Sequence, residues 1–217
     1  MIAALVPVKR LDAAKSRLRE TLPGDAVPRL ARAMLEDLLE ALLALPELDL
    51  VAVVTEDPEV AGVAQAQGAQ ALVLDDAGLN PSLAAGAERL AGRGLDALLV
   101  VLGDVAGATP GDLGTLLAAG RAMQPPWAVL APSRDGGTTA LLRSPPDAFP
   151  SAFGPDSAAR HREAARRAGV TLHELSPPSL QVDLDGAEDL DGFLASSGDG
   201  KRTRALLERL GWGEGPV

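Results

Sequence analysis

Short apolar runs alternate along this chain with longer segments whose leucines recur at helical spacing. Apolar runs of a few residues bounded by turn-forming residues are typical of buried strands, and spacings of three or four positions are typical of helices. A chain that alternates the two covers both faces of a mostly parallel sheet with helices. The sequence therefore predicts an α/β fold, a three-layer α/β/α sandwich with a mostly parallel sheet.

The predicted strands are rich in Val, Leu and Ala and comprise residues 2–8, 50–54, 71–74, 97–102, 129–132 and 139–142, followed by short late strands at 170–175 and 180–184. Residues suited to starting a helix open the predicted helices near Asp25, Asp57, Ser82, Thr109, Ser157, Ala187 and Lys201. No repeat and no linker divides the chain. We therefore expect one domain over residues 1–195 and a C-terminal helix and tail over 196–217.

Composition and charge exclude several classes of function. The 217 residues include no cysteine and two histidines, which excludes thiolate chemistry and argues against a histidine-rich zinc site. The formal net charge of -10 argues against a nucleic-acid partner, because binding to a phosphate backbone needs a broad basic face. No leader precedes the first strand and no apolar run reaches membrane length, so we expect a soluble, cytoplasmic protein without a membrane partner.

A basic cluster follows the first predicted strand, with Lys9, Arg10, Lys15 and Arg17 close together in an otherwise acidic chain. Ligands of open α/β sheets bind beyond the carboxyl ends of the strands, where this cluster falls. Lysine offers a mobile point charge and arginine a planar fork, and both suit phosphate. The cluster predicts a site for a small phosphorylated ligand, and a solvated basic turn is the alternative.

Three aspartates are candidates for a metal site. Asp104 directly follows the most apolar strand, and Asp183 and Asp185 form a D-x-D pair whose side chains share a face if residues 180–184 are extended. Oxygen-only ligation suits Mg²⁺ that bridges nucleotide phosphates, so the three carboxylates and the basic cluster predict phosphoryl or nucleotidyl transfer. The alternatives are turn or helix capping by Asp104 and capping of the next helix by Asp185.

Further candidates for ligand binding lie in glycine-containing segments. Residues 136–139, GGTT, can wrap an anion with backbone N–H groups, and Gly154 and Ser157 lie where a helix N-terminus favours a phosphate or carboxylate. Ordinary capping is the favoured interpretation of Ser157 taken alone, and packing or capping is the alternative for His161. Asn80 can bind a base or ribose, although asparagine before proline is also common in turns. No Gly-Lys-Ser/Thr follows the glycines and no nucleophile elbow is present, which argues against a P-loop kinase and a Ser-His-Asp hydrolase.

Six motifs occur together in an order that resembles one enzyme family, the guanylyltransferases of coenzyme F-420 biosynthesis. They are VPVKRLDAAKSRL at 6–18, GLN at 78–80, GD at 103–104, GGTTALL at 136–142, FGPDSAARHR at 153–162 and VDLDGAEDL at 182–190. The family comprises 2-phospho-L-lactate guanylyltransferase and its bacterial form, phosphoenolpyruvate guanylyltransferase. The first motif and the FGPDS motif are the specific ones, and the resemblance extends to about residue 194.

The resemblance implies a nucleotidyltransferase fold similar to that of the sugar-nucleotide transferases (GT-A-like), with the nucleotide at the strand ends. It implies that Thr139, Gly154 and Ser157 bind the acceptor, and that Asp104, Asp183 and Asp185 bind Mg²⁺. Lys9, Lys15 and Arg17 match the basic loop expected at the GTP phosphates; they are the predicted catalytic residues together with Asp104, and Asn80 joins them in nucleotide binding.

Two departures from the family pattern accompany the resemblance. Val105-Ala106-Gly107 follows Asp104 where the family usually has Leu-Pro, and Gly137-Thr138 exchanges the middle pair of its usual G-T-G-T loop. The first departure can reshape the nucleotide side, and the second can change how the acceptor phosphate is held.

The expected function is Mg²⁺-dependent transfer of GMP from GTP to phosphoenolpyruvate, with release of pyrophosphate. The acceptor is expected to be phosphoenolpyruvate because the FGPDSAARHR segment is similar to the bacterial branch. The alternatives are 2-phospho-L-lactate as acceptor, a related nucleotidyltransferase with another base or acceptor, and a silent homologue that binds a nucleotide or phosphoacid. The expected partners are these small molecules, and the sequence leaves undecided whether the chain forms a homodimer.

Overall fold

The computed structural model describes residues 1–11, 16–75, 77–181, 183–184, 186–196 and 198–212, and it describes residues 16 and 17 by their backbone only. The strands in these ranges are β1 (Ile2–Pro7), β2 (Leu50–Thr55), β3 (Gln70–Val73), β4 (Ala97–Val101), β5 (Trp127–Pro132), β6 (Thr138–Ser144) and β7 (Thr171–Glu174). The helices are α1 (Ala26–Leu43), α2 (Pro58–Gln67), α3 (Leu79–Ala91), α4 (Pro110–Arg121), α5 (Ser157–Ala168), α6 (Ala187–Ala195) and α7 (Lys201–Arg209).

One sheet joins the described strands in the order β3-β2-β1-β4-β6-β5-β7. β1 pairs in parallel with β2 and β4, β2 with β3, and β5 with β7, whereas β6 is antiparallel to both of its neighbours. The mostly parallel α/β sheet predicted from the alternation is therefore confirmed. Because β6 runs against the others, its amino end lies at the same edge of the sheet as the carboxyl ends of the parallel strands.

Helices cover both faces of the sheet, as the predicted sandwich requires. Leucines of α1 and α4, such as Leu38 and Leu113, pack with Val53 and Leu99 on one face. Leu83 of α3 and residues of α5 pack on the other face. Full burial of a leucine side chain such as Leu38, which is 0% exposed, contributes about 1.5–3 kcal/mol.

Two predicted helix starts carry the expected caps. The Asp57 side chain accepts from Glu59 N at 2.8 Å before α2, and the Thr109 hydroxyl accepts from Asp112 N at 3.1 Å before α4. α3 begins at Leu79 rather than at Ser82, because proline is tolerated in the first turn of a helix. No helix within the described ranges has the length and apolar character needed to cross a membrane.

The C-terminal helices form a third packing cluster with α1, which includes Leu206 and Leu207 together with Leu30 and Met34. The carboxylate of Asp37 on α1 is buried and caps the start of α7. It accepts from Arg202 N at 3.0 Å and from Thr203 N at 2.8 Å.

An indole contact ties the two C-terminal helices together. Trp212, beyond α7, donates from Nε1 to Asp191 of α6 at 2.9 Å. The other tryptophan, Trp127, lies in β5, where it is 5% exposed.

The predicted strand over residues 180–184 is wrong for the residues of that range that the structure describes. Pro178–Leu180 form a short 3₁₀ turn, which the fixed φ of the prolines at 177 and 178 favours. Ser179 N donates to Asp112 at 2.8 Å, so this segment packs on α4 instead of extending the sheet. The prediction that Asp183 and Asp185 share a face depended on this strand and is therefore no longer supported.

Candidate functional site

Polar residues from β1, β4 and β6 meet at one edge of the sheet. Lys9 follows β1, Asp104 follows β4, and Thr138 and Thr139 open β6. Leu102 N donates to Thr139 O at 3.0 Å, which joins the end of β4 to the start of β6. The topology therefore places the predicted nucleotide and acceptor segments beside each other.

A pocket lies at the ends of β1 and β2, where sequence reasoning predicts the nucleotide phosphates. Lys9 lines it together with Thr55, Glu56, Gly78 and Ser82, and Lys9 is exposed. Leu11 N donates to Asp57 at 3.3 Å, which holds the start of the basic loop near α2. The predicted partners Lys15 and the Arg17 side chain lie outside the described residues.

Asp104 lies at the centre of the edge, and its position depends on the glycine before it. A Cβ on Gly103 would lie 3.1 Å from both Pro7 O and Val8 Cγ2, so a larger residue here would press on the end of β1. Leu184 N donates to Asp104 O at 3.3 Å, which brings the neighbouring Asp183 to the same edge.

Two of the three predicted metal ligands are thus brought into one region. Both Asp104 and Asp183 offer carboxylate oxygens, the donor type that Mg²⁺ prefers. The third predicted ligand, Asp185, lies outside the described residues, and no group of three or more His, Asp or Glu side chains among the described ones could hold a metal.

The residues that depart from the family pattern after Asp104 are buried against the C-terminal segment. Val105 and Ala106 are 0% and 1% exposed. Asp199 N donates to Gly107 O at 3.1 Å, and a Cβ on Gly198 would lie 2.6 Å from that same oxygen. The loop that carries Asp104 is therefore packed from behind by the segment that leads into α7.

A tight turn over residues 154–157, the acceptor turn, opens α5. Gly154 has φ 115° and Asp156 has φ 53°, both in the left-handed region that glycine tolerates best. Ser157 N donates to Gly154 O at 3.1 Å, and Ala158 N donates to Gly136 O at 3.2 Å. The two glycine segments predicted to bind an anion are therefore in direct contact.

The structure brings Thr138, rather than Thr139, to Ser157. The Ser157 hydroxyl lies 3.0 Å from Thr138 Oγ1, whereas the Thr139 hydroxyl donates to Ala131 O at 3.2 Å inside the sheet. Sequence reasoning missed Thr138 because the two threonines are adjacent and only the strand geometry distinguishes their directions. The predicted acceptor role of Thr139 stays a prediction.

Three polar side chains hold the segment of residues 145–153, the strap, which leads into the acceptor turn. Arg143 donates to Phe149 O and, at 3.1 Å, to Ser151 Oγ. His161 Nε2 accepts from Ala152 N at 2.9 Å. These bonds fix the strap along the α3 and α5 side of the sheet.

Asn80 is the third side chain that holds the strap. Its Nδ2 donates to Phe153 O at 3.0 Å and its Oδ1 accepts from Phe153 N at 2.8 Å. The side-chain amide predicted to bind the nucleotide thus bonds in both directions to the backbone next to Gly154. This geometry favours a positioning role on the acceptor side.

Burial lowers the pKa of two of the groups that hold the strap. It lowers the pKa of His161 to about 4, with Arg143 and Arg160 adding to the effect. It lowers the pKa of Arg143 to about 10, against the opposing influence of Asp147. His161 is therefore neutral near pH 7 and Arg143 is charged.

Arg160 is a further candidate that sequence reasoning did not single out among the arginines of α5. Its Nη2 lies 3.3 Å from the position of a Cβ on Gly154. The other three arginines form ion pairs on the outer face of α5: Arg162 with Glu174, and Arg166 and Arg167 with Glu163. Within the described residues Arg160 has no carboxylate partner, and it lies over the acceptor turn.

Solved structures show the same fold in nucleotide-using proteins. A protein from Desulfovibrio desulfuricans G20 described as a nucleotide-diphospho-sugar transferase superposes with a TM-score of 0.79 at 19% identity, covering 96% of this chain and 94% of that one. A cytidylyltransferase from Leptospira borgpetersenii gives a TM-score of 0.62 at 12% identity over 96% and 94% of the two chains. The expected nucleotidyltransferase type of α/β fold is therefore confirmed.

Relatives found by comparison of sequences share more residues with this chain than these structures do. A phosphoenolpyruvate guanylyltransferase from Sphaerobacter thermophilus is 41% identical over 189 residues, which cover 87% of this chain and 90% of the relative. One from Conexibacter woesei is 37% identical over 215 residues, covering 95% of each chain. The family described as "Guanylyl transferase CofC like" matches residues 2–216. This chain belongs to that family of guanylyl transferases.

Proposed function

We propose that this chain transfers GMP from GTP to phosphoenolpyruvate and releases pyrophosphate, as a step of coenzyme F-420 biosynthesis. The observation that carries the proposal is the family match over residues 2–216, together with a relative named phosphoenolpyruvate guanylyltransferase that is 41% identical over 87% of this chain. The contact between the acceptor turn and the glycine segment at the sheet edge supports it.

The reaction needs no nucleophile from the protein. An oxygen of the acceptor phosphate forms a bond to the α-phosphorus of GTP, the bond from that phosphorus to the bridging β-phosphate oxygen breaks, and pyrophosphate leaves with the bonding electrons. The acceptor phosphate is already ionised near neutral pH, so the protein's contribution is in-line positioning and stabilisation of charge.

On the nucleotide side, Lys9, which lines the pocket at the end of β1, is proposed to meet the triphosphate together with Lys15 and Arg17. Asp104 and Asp183, with Asp185, are proposed to hold Mg²⁺, since their all-oxygen donor set fits this ion. When bound, Mg²⁺ neutralises charge on the nucleotide phosphates.

On the acceptor side, the acceptor turn is proposed to bind the phosphoacid. The helix dipole at the start of α5 favours an anion there. Gly154 allows close backbone approach, and Ser157 adds a hydroxyl. Arg160 supplies a planar cation that suits a phosphate or carboxylate, and Thr139 of the adjoining strand completes the predicted set.

Pyrophosphate release tests the proposal. The purified chain is mixed with GTP and Mg²⁺ together with phosphoenolpyruvate, with 2-phospho-L-lactate, or with no acceptor, and the GTP series is repeated with ATP. Release that requires phosphoenolpyruvate and GTP supports the proposal. Release only with 2-phospho-L-lactate moves the assignment to that acceptor, and no release by folded chain that binds GTP contradicts enzymatic activity.

A parallel set without Mg²⁺ tests the metal. Activity that is lost with a chelator and restored by added Mg²⁺ is expected if the aspartates hold this ion. The proposed cytoplasmic location and the homodimer stay predictions from the sequence.

A further inference from the structure

His161 lies beneath the acceptor turn and is bonded at both ring nitrogens. It is 0% exposed. Nε2 lies 2.9 Å from the backbone nitrogen of Ala152 in the strap, and Nδ1 lies 3.0 Å from Thr138 Oγ1 at the start of β6. One side chain of α5 thus joins the strap to the strand that carries the hydroxyl partner of Ser157.

The strap determines which ring nitrogen carries the proton. A backbone N–H can only donate, so Nε2 of His161 has to be the bare, accepting nitrogen. The ring is neutral near pH 7 because burial, with Arg143 and Arg160 nearby, lowers its pKa to about 4. A neutral ring has one proton, which is therefore on Nδ1 and is donated to Thr138.

The bond donated by His161 determines which hydrogen bonds the hydroxyl protons of Thr138 and Ser157 can form. Thr138 Oγ1 and Ser157 Oγ are 3.0 Å apart, so one of their two protons lies between them. The other proton cannot go to His161, which is itself a donor, and no other acceptor contacts either hydroxyl within the described residues. Thr138 and Ser157 are 3% and 1% exposed, so little of the pair is open to bulk water in the free protein.

The opposite tautomer would reverse the chemistry of the pair. With Nδ1 bare, Thr138 would donate to His161 and Ser157 would donate to Thr138, so both hydroxyl protons would be used. The pair would then present only lone pairs to a ligand, which repel an anion. The contact between Ala152 and His161 therefore selects donor character for the acceptor turn.

We propose that His161 is a positioning residue for the acceptor: by donating to Thr138 it leaves the Thr138–Ser157 pair one hydroxyl proton for an anionic oxygen of the phosphoacid. This inference rests on the proposed function, because it takes the phosphoacid to bind at the acceptor turn. A buried donor without an acceptor is unfavourable, so an anion that reaches the pair relieves a cost present in the free protein.

Nitrogen NMR of the labelled chain tests the tautomer without any assay of activity. The chain has two histidines, and a His173→Gln variant assigns their signals. Near pH 7 we expect a protonated Nδ1 and a bare Nε2 for His161. A protonated Nε2, or a doubly protonated ring, overturns the proposal.

Two substitutions separate the two bonds of His161. In His161→Asn, the amide N–H can still donate to Thr138 from the place of Nδ1. In His161→Gln, the amide oxygen can still accept from Ala152, and Thr138 loses its donor. We expect the KM for phosphoenolpyruvate to rise about tenfold in the Gln variant and clearly less in the Asn variant, with the KM for GTP and kcat unchanged in both.

A merely structural role for His161 would predict a different pattern. Equal losses in the Asn and Gln variants, or a fall in kcat without a change in the acceptor KM, overturn the proposal. Combining His161→Gln with Thr138→Val provides the coupling test, because a residue that acts through Thr138 adds nothing once that hydroxyl is gone. Additive effects of the two substitutions overturn the proposal as well.

Calorimetric titration of phosphoenolpyruvate distinguishes failure of this inference from failure of the proposed function. If the unsubstituted chain binds phosphoenolpyruvate but releases no pyrophosphate, the proposed function is contradicted, and the same Gln and Asn difference is then expected in Kd. If the unsubstituted chain releases pyrophosphate normally and both variants retain its acceptor KM, only the role of His161 is contradicted.

Discussion

Arg160 differs from the other arginines of α5 in the groups that it contacts. The arginines on the outer face hold Glu163 or Glu174, and these exposed pairs contribute little to stability. Arg160 instead lies over Gly154 at the acceptor turn. A cation that holds no carboxylate in the described part of the chain, next to a proposed anion site, is placed to hold the ligand.

Replacing Arg160 by glutamine is expected to raise the KM for phosphoenolpyruvate at least about tenfold, because a charge-assisted bond to the acceptor is lost. Arg160→Lys restores the charge without the planar fork and should fall between. Initial rates at varied phosphoenolpyruvate give the values. Arg167→Gln is the matched control on the same helix, and an equal rise in that variant would contradict a specific contact.

Asn80 offers a choice between two roles. Its amide bonds to both backbone groups of Phe153, whereas sequence reasoning assigned it to the nucleotide. In Asn80→Asp, the carboxylate can still accept from Phe153 N but repels Phe153 O. We expect the KM for phosphoenolpyruvate to rise about tenfold and the KM for GTP to stay constant; a rise confined to GTP would instead support nucleotide binding.

At the scale of elements, one buried carboxylate caps the start of α7. Asp37 accepts from Arg202 N, from Thr203 N and, at 2.7 Å, from the Thr203 hydroxyl. Asp37→Ala leaves these donors without their partner, and we expect the Tm to fall by about 5–10 °C. The activity should fall too, since the segment leading into α7 supports the loop of Asp104.

A neighbouring carboxylate provides the control for that prediction. Glu40 forms an ion pair with the same Arg202 but is exposed, so Glu40→Ala should change the Tm far less. Thermal denaturation of the two variants beside the unsubstituted chain gives the comparison. Similar losses in both would show that α7 is not docked through Asp37.

The elements also show what could be predicted from the sequence. Alternating apolar runs were enough for the strands of the parallel sheet, because buried parallel strands are nearly continuous in Val, Leu and Ala. Residues 180–184 also look apolar, and the prediction failed there because the 3₁₀ turn that begins at Pro178 extends to Leu180. The antiparallel direction of β6 depends on tertiary pairing, which local periodicity does not record.

Part of the candidate site could likewise be predicted from the sequence, and part could not. Motifs located Asp104, Gly154 and Ser157, and resemblance suggested roles for them. The bonds from Asn80 to Phe153 span 73 positions, and no local pattern indicates such a partner. Arg143 had one signal, a charged residue directly after the apolar run of residues 139–142, and only the structure shows its contact with the strap.

At the scale of the whole molecule, His161 makes stability depend on pH. Its pKa falls from 6.5 to about 4 on folding. Between these pH values the unfolded chain therefore binds a proton that the folded chain does not bind. The free energy of unfolding is therefore highest above about pH 6.5 and decreases as the pH falls toward 4, by up to about 3 kcal/mol.

Urea denaturation at a series of pH values measures this slope. Carboxyl groups with a lowered pKa, such as Glu174 and Asp135, lose their contribution at lower pH than the histidine does. The slope just below pH 6.5 should therefore vanish in His161→Asn. A slope of the same size in that variant would assign it to another group.

The tryptophans give the molecule an optical property of its own. The chain has two tryptophans and no tyrosine, so its ultraviolet emission comes from two indoles. Trp127 is enclosed beside the sheet, whereas the indole of Trp212 is anchored to Asp191 where α6 meets the end of α7. The emission of the unlabelled protein therefore contains one signal from its interior and one from the helices behind Asp104, so loosening of those helices can be followed by fluorescence without attaching a dye.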